Sequence, residues 1–291
     1  MLGRFGKDAG SLVGVEIAPD AVRVLQLQRR NQRCRVVAWA QEPFEPPAGK
    51  AWAAEPAVVV AALQRAYRRA GLRQQRVALA LPASQVICKA CHLPAEQDEA
   101  DLEAQLLADA ERLFPFPLED LALDFQVMGA SSAQPGCTEV MVAACRQSAL
   151  APLEALVAEA GLQLEAVEVD SIALHRMLPR GDHEGSALLR LETHSATLYG
   201  WQSWRPHLRR ELGGPPLAGL LPERLLALLA GEPLPASLLI ASRAPIEPGW
   251  LQSLGAQLNL PCRLVPGLAG LERIDGAMIL ACALALGGLR P

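Results

Sequence analysis

Two apolar runs rich in β-branched residues, LVGVEIA and AVRVLQLQRR, stand near the start of the chain, separated by the turn dipeptide Pro19-Asp20. They predict paired strands. CRVVAWAQEPF alternates apolar with polar positions and runs into prolines, which predicts a third strand. In EPAVVVAALQRAYRRAG the period changes: Val59, Leu63, Ala66 and Ala70 share one helical face, Pro56 suits the first helical position and Gly71 suits the stop. RVALALPA then predicts a short buried strand, giving the order βββαβ.

From Ser84 to Arg146 the rhythm differs. QVICKACHLPA predicts a strand ending at Pro94, and DEADLEAQLLADAERLF an amphipathic helix with Leu102, Leu106, Ala110 and Leu113 on one face. PFPLEDLALDFQVMG and TEVMVAACR read as extended. Together they predict an inserted α+β subdomain. SALAPLEALVAEAG resumes a helix, with Ser148 as cap and Gly161 as stop; LQLEAVEVD is a strand and SIALHRML a helix. The second half repeats the plan in other letters. ALLRLE, SATLYGW and RPHLRREL predict three short strands and LAGLLPERLLALLAG a helix. SLLIAS and CRLV predict two more strands, PGWLQSLGAQL and DGAMILACALAL two more helices.

Two copies of βββαβαβα, the first interrupted, predict an α/β protein of duplicated ribonuclease-H-like lobes with mixed sheets. The expected bounds are 1–178 for the first lobe, with its insertion at about 84–146, and 179–272 for a shortened second lobe. Residues 273–291 form a closing helix expected to pack back toward the first lobe.

Composition narrows the function classes. A formal net charge of −4 with mixed signs provides no field to gather nucleic acid. The cysteines number seven, irregularly spaced, which suits reduced buried thiols and not a disulfide framework. The N-terminal MLGRFGKDAGSLVGVEIA lacks the apolar core of a secretory signal, and GAMILACALALGG is too short to span a bilayer. A cytoplasmic protein is expected.

One motif needs weighing. CKACH, Cys88 to His92, matches the attachment signature of a c-type haem. It lies in a stretch that reads as a strand, where Cys88 and Cys91 point to opposite faces, so one haem edge cannot take both thioethers. A zinc site would want a second ligand pair, and none is present. His175, His183, His194 and His207 fall in no nucleophile or metal spacing, and neither a G-x-S-x-G nor a phosphate-loop motif occurs. Trp201 and Trp204 flank a turn, with packing the expected role.

The segments LVGVEIAPDAVRVLQLQRR, AERLFPFPLEDLALDFQVMG and VMVAACRQSALAPLEALVAEAGLQLEAVEVDSIAL resemble the PilM family of type IV pilus assembly proteins. These are cytoplasmic actin-like proteins related to the cell-division actin homologue FtsA. The likeness is specific over roughly residues 10–178 and faint beyond. It implies an actin-like fold, with ATP and magnesium held between the lobes. The first phosphate loop of such proteins carries an acidic residue, here Glu16, which suits a magnesium-bound water. The second should read like D-I-G-x-x-x-T, but RLETHSAT puts Arg190 at the acidic position and Glu192 at the glycine. Phosphate binding needs backbone N–H groups bare of a Cβ there. Thr193, Ser195 and Thr197 are read as strand alternation instead of phosphate hydroxyls. In the adenosine loop, IASRAPIEPGW puts Ser242, Arg243 and Ala244 where three glycines are expected.

The resemblance therefore implies a non-catalytic adaptor without a cofactor. Its expected partner is the cytoplasmic tail of a PilN-like inner-membrane protein, which recruits it to that membrane. Other pilus components or further copies of the chain are additional partners. The tail is expected in a groove between the first-lobe body and the inserted subdomain. Pro115 and Pro117 hold Phe114, Phe116 and Leu118 extended, and Leu102, Leu106 and Phe125 complete the candidate apolar surface. Phe114 and Phe116 could equally seal the subdomain. An ATP-binding actin-like switch is the alternative that Glu16 supports. The equivalent module of type II secretion or mannose-sensitive pilus biogenesis is another.

Overall fold

Alternation and turn chemistry set the first sheet. β1 (Val13–Ile17), β2 (Ala21–Arg30) and β3 (Arg33–Pro43) form an antiparallel meander. β4 (Arg76–Leu81) pairs parallel with β1, and β8 (Gln163–Val169) pairs parallel with β4, giving the order β3-β2-β1-β4-β8. The computed structural model describes residues 11–30, 33–45, 55–179, 185–193, 195–202, 205–213, 221–230, 234–265 and 276–289.

Both faces of this sheet are covered, which is why β1 and β4 read as nearly continuous apolar text. On one face, α1 (Pro56–Ala70) and α4 (Gln147–Glu159) pack Val59, Leu63, Leu153 and Leu156 against Val13, Val15, Val22 and Val24. Pro56 starts α1 and Gly71, at φ 65°, ends it, as expected. On the other face, α8 (Ile279–Gly287) packs Ala281, Cys282 and Ala285 against Leu25 and Leu27. Gly14 permits that approach: a Cβ there would collide with the Ala281 carbonyl oxygen and fall 2.8 Å from the Ala285 nitrogen.

The second sheet repeats the first. β9 (Ser186–Leu191), β10 (Ser195–Gln202), β11 (Arg205–Gly213), β12 (Ser237–Ser242) and β13 (Cys262–Leu264) take the order β11-β10-β9-β12-β13. α6 (Leu221–Leu229) and α7 (Pro248–Leu258) cover its outer face through Leu221, Leu225, Leu254 and Leu258. Its inner face presents Leu188, Tyr199, Trp201 and Leu239 to α8 and to α5 (Asp170–His175). One apolar cluster thus joins both sheets through the two helices between them. The result is an actin-like mixed α/β fold.

The insertion between β4 and α4 is a third, antiparallel sheet in the order β5-β7-β6, from β5 (Ile87–Pro94), β6 (Leu121–Ala130) and β7 (Cys137–Arg146). Only one of its faces is helix-covered. Its helix breaks at Asp109 into α2 (Glu99–Ala108) and α3 (Ala110–Leu113), where a single helix is expected from the period. The start of α4 also differs. Ser148 is not the cap; the helix begins one residue earlier, and the Asp120 carboxylate accepts from the Ser148 backbone N–H at 2.8 Å and its hydroxyl at 3.2 Å. Among the described residues, no helix is long and apolar enough to cross a membrane.

Candidate functional site

Two places bring chemistry together: the cleft between the two large sheets, and a groove beside the inserted subdomain. In the cleft, Glu16 (β1) and Arg23 (β2) face Arg190 (β9) and Glu192, just beyond that strand. Arg23 donates from both terminal nitrogens to the two oxygens of Glu192, at 2.9 and 2.6 Å, and to Glu16 Oε1 at 3.2 Å. Arg190 Nη2 pairs with the same Glu16 oxygen and with Glu192 Oε1 at 2.7 Å. Charges therefore alternate around a ring of four, with Arg23, Glu16 and Arg190 buried and Glu192 nearly so. Burial works against each guanidinium charge. For both arginines the carboxylates outweigh it, Glu16 foremost, and hold the pKa above the ordinary arginine value. Beside the ring, Arg243 Nη1 donates to Asp20 Oδ2 and Thr193 Oγ1, each at 2.8 Å, closing a further bridge between the sheets.

This lattice does not fit a magnesium nucleotide. A polyphosphate needs unpaired cations and bare backbone N–H groups. Here all three arginines already serve carboxylates, and Glu16, Glu192 and Asp20 would meet the phosphates with like charge. Glu16 Oε2 keeps no protein hydrogen bond among the described residues, but its Oε1 is taken by two guanidinium groups. Ser242, expected in an adenosine loop, packs against backbone instead. Gly276 lies so close to the Ser242 backbone that a Cβ on it would fall 2.7 Å from the Ser242 carbonyl oxygen.

The groove has a volume of about 770 Å³ and lies where the bare face of the subdomain sheet meets α4, β8 and the end of α8. Ala122, Met141 and Ala143 line the subdomain side; Leu150, Ala158, Leu162 and Leu164 line the other. Two strand edges border it, since β8 ends the first large sheet and β6 ends the subdomain sheet. Asp124, Glu154 and Glu165 also line it, so the apolar floor carries an acidic rim.

The candidate partner residues divide. Leu102, Leu106 and Phe114 are buried in the subdomain's own core with Val140 and Val142, on the face turned away from the groove. They hold the subdomain together and supply no groove wall. Phe116 packs partly on the same core beneath the Arg146 guanidinium, 5.4 Å from the ring centre, and Leu118 is exposed elsewhere. Phe125 belongs to that core too: opposite Val142 on the edge strand, its ring packs on the helix-covered face, and it borders the groove only at the strand edge.

Cys88 and Cys91 face opposite sides of β5, paired with Ala143 and Val140 respectively. Burial pushes the Cys88 thiol up to about 11. His92 Nδ1 shares a 2.9 Å hydrogen bond with the Ser131 hydroxyl. No cluster of three or more metal-ligating groups occurs among the described residues. Trp201 is buried between the sheets and donates from Nε1 to the Ser171 carbonyl at 3.0 Å. Trp204, His183 and His194 lie outside the described residues.

Sequence reasoning passed over Asp170 and Arg23. The buried Asp170 carboxylate accepts from the Ala83 N–H at 2.8 Å, the Tyr199 hydroxyl at 3.1 Å and Arg209 Nε at 3.0 Å, tying both sheets to the start of α5. The available signal for Arg23 was a lone cation inside an apolar strand, AVRVLQL, where a buried charge demands a partner.

Among solved structures, the chain is similar to a protein described as the PilM-PilN type IV pilus biogenesis complex. Identity is 21%, coverage 97% of this chain and 99% of that one, and the TM-score 0.72. It is similar also to the cytoplasmic domain of EpsL, an inner-membrane component of the type II secretion system of Vibrio cholerae (16% identity, 95% of each chain, TM-score 0.52). A third likeness is the ethanolamine utilization protein EutJ of Carboxydothermus hydrogenoformans (9% identity, 98% and 92% coverage, TM-score 0.56). At these identities the structures establish the fold. Residues 14–184, more than half of the chain, match the family profile of the type IV pilus assembly protein PilM, and the chain belongs to that family.

Proposed function

We propose that this chain is an adaptor of a type IV pilus assembly machinery. It works at the cytoplasmic face of the inner membrane without ATP turnover, and it receives the N-terminal tail of a PilN-like membrane protein in the groove between β8 and β6. The observation that carries this reading is the groove itself. An extended peptide gains backbone hydrogen bonds along a free strand edge while its alternate side chains enter pockets, and here two such edges flank an apolar floor. The acidic rim favours a tail that also carries basic positions. The solved relative described as a PilM-PilN complex supports the choice of partner. Ala122, Met141 and Ala143 supply the subdomain side of the floor, and the core built by Leu102, Leu106, Phe114 and Phe125 fixes the wall behind them. The paired cleft arginines support the absence of turnover.

Titration of a fluorescent peptide, copied from the N-terminal tail of a PilN-like protein, tests the reading. Binding in the micromolar range is expected, and Ala158→Arg, at an exposed groove-lining position on α4, should abolish it while the melting temperature holds. Undiminished binding by a folded Ala158→Arg protein would move the site elsewhere.

A further inference from the structure

We infer that the ring of Glu16, Arg23, Arg190 and Glu192, with the Asp20–Arg243 bridge beside it, does within this chain what a bound nucleotide does in an actin-like cleft. It clamps the two sheets together, so the protein holds one closed arrangement whether or not ATP is present. This goes beyond the adaptor reading, which requires only the groove.

The geometry carries the inference in three ways. First, the pairs that matter cross the cleft. Arg23 meets Glu192 with a two-pronged contact, Arg190 meets Glu16, and Arg243 meets Asp20. Opening the cleft would separate all three at once. Second, the ring is internally neutral and mostly out of water. Its attractions are therefore little screened by salt, and separated members would be left as costly unpaired charges. Third, the ring is anchored at its margins. Arg23 Nε donates to Gln41 Oε1 at 3.3 Å, and Arg190 Nη2 reaches the Ala277 carbonyl at 3.4 Å, just before α8. The Arg243 backbone N–H bonds the Leu191 carbonyl at 3.1 Å. A ligand shifts a conformational equilibrium only by its differential affinity for the two states. A nucleotide that must first break these pairs, and then face Glu16 and Glu192, has no such advantage in the closed state.

The test is a distance measurement between the two halves of the full chain. Spin labels are carried on unnatural residues at Arg68 of α1 and Gln252 of α7, both exposed, which leaves the native cysteines alone. The wild type should give one narrow distance distribution, unchanged by millimolar magnesium ATP. Glu192→Gln, which removes a charge at constant size, should add a second, longer population while circular dichroism shows the secondary structure intact. If Glu192→Gln does not fold, Asp20→Asn, at the more exposed bridge, should produce a smaller change in the same direction. A wild-type distribution that is broad and narrows with magnesium ATP would overturn the inference. So would a folded Glu192→Gln or Asp20→Asn protein with the wild-type distribution. Peptide binding in the groove is read separately, so failure of the clamp and failure of the adaptor reading are distinguishable.

Discussion

Arg23 and Glu192 are 169 positions apart, yet they form a two-pronged ion pair across the cleft, at 2.9 and 2.6 Å, with the arginine fully buried. Arg23→Met would leave Glu16 and Glu192 short of their countercharge. The expected loss is about 3–5 kcal/mol of folding stability, the usual result of removing one member of a buried pair. Urea denaturation measures it. Arg23→Met combined with Glu192→Met should cost less than the sum of the single changes, because the members are coupled. A loss below about 1 kcal/mol for Arg23→Met is what a surface bridge gives, and would mean that water reaches the ring.

Met141 lines the groove on its subdomain side, whereas Leu118 is exposed away from it. Met141→Ala should weaken binding of the tail peptide about tenfold, or ~1.4 kcal/mol, and Leu118→Ala should leave it unchanged. Glu154→Gln with Glu165→Gln should lower the affinity for a tail with basic residues at low salt and reduce its salt dependence. Anisotropy titrations at two ionic strengths distinguish these effects.

Asp120 supplies the cap that the first turn of α4 lacks from its own residues. The Ser148 backbone N–H, and then the Arg146 and Ser148 side chains, hold its carboxyl below the ordinary aspartate value. A lowered folded pKa contributes stability that is fully present above the unfolded value, about 3.9. That stability is lost as the pH falls through the folded pKa. Asp120→Asn should therefore lower the melting temperature by a constant amount at neutral pH. The difference from wild type should shrink as the solution is acidified below about pH 4.

Burial pushes the Cys88 thiol up to about 11, so at pH 8 roughly a thousandth of it is thiolate. Alkylation of native protein should be slow at Cys88 and speed up by about a hundredfold on unfolding, followed by mass spectrometry of the labelled peptide. Cys88→Ser with Cys91→Ser should leave tail binding intact. A stoichiometric zinc or a haem absorption band in the purified wild type would contradict this reading of β5.

Gly14→Ala tests the seat of α8. The added methyl collides with the Ala281 carbonyl oxygen, which is helix backbone and cannot swing aside. The expected cost is about 1–3 kcal/mol or more, typical of overpacking, seen as a lower denaturation midpoint. A neutral result would require α8 to sit farther from β1.

The alternating and helical periods of the chain determined its strands and helices, their order and the site of the insertion, because those periods are local properties of a few consecutive residues. Val13 and Val15 turn toward α1 and α4 while Gly14 turns toward α8, as a strand period of two requires. The same local text marked Pro56, Gly71 and Gly161 as helix punctuation. It could not say that Asp109 would break α2 from α3, or that Asp120 would cap α4 from another element.

Partners across sheets were decided by the tertiary structure alone. Arg190 and Glu192 read as lost nucleotide residues, but only the meeting of side chains across the cleft reveals what occupies them: Glu16 and Arg23, residues of the opposite sheet. Leu102, Leu106 and Phe114 carry a helix-and-strand signal for burial, which is silent on which face of the subdomain is covered. The groove exists because α2 and α3 cover one face of that sheet and leave the other toward β8. That choice depends on how three sheets stack, and no window of consecutive residues contains it.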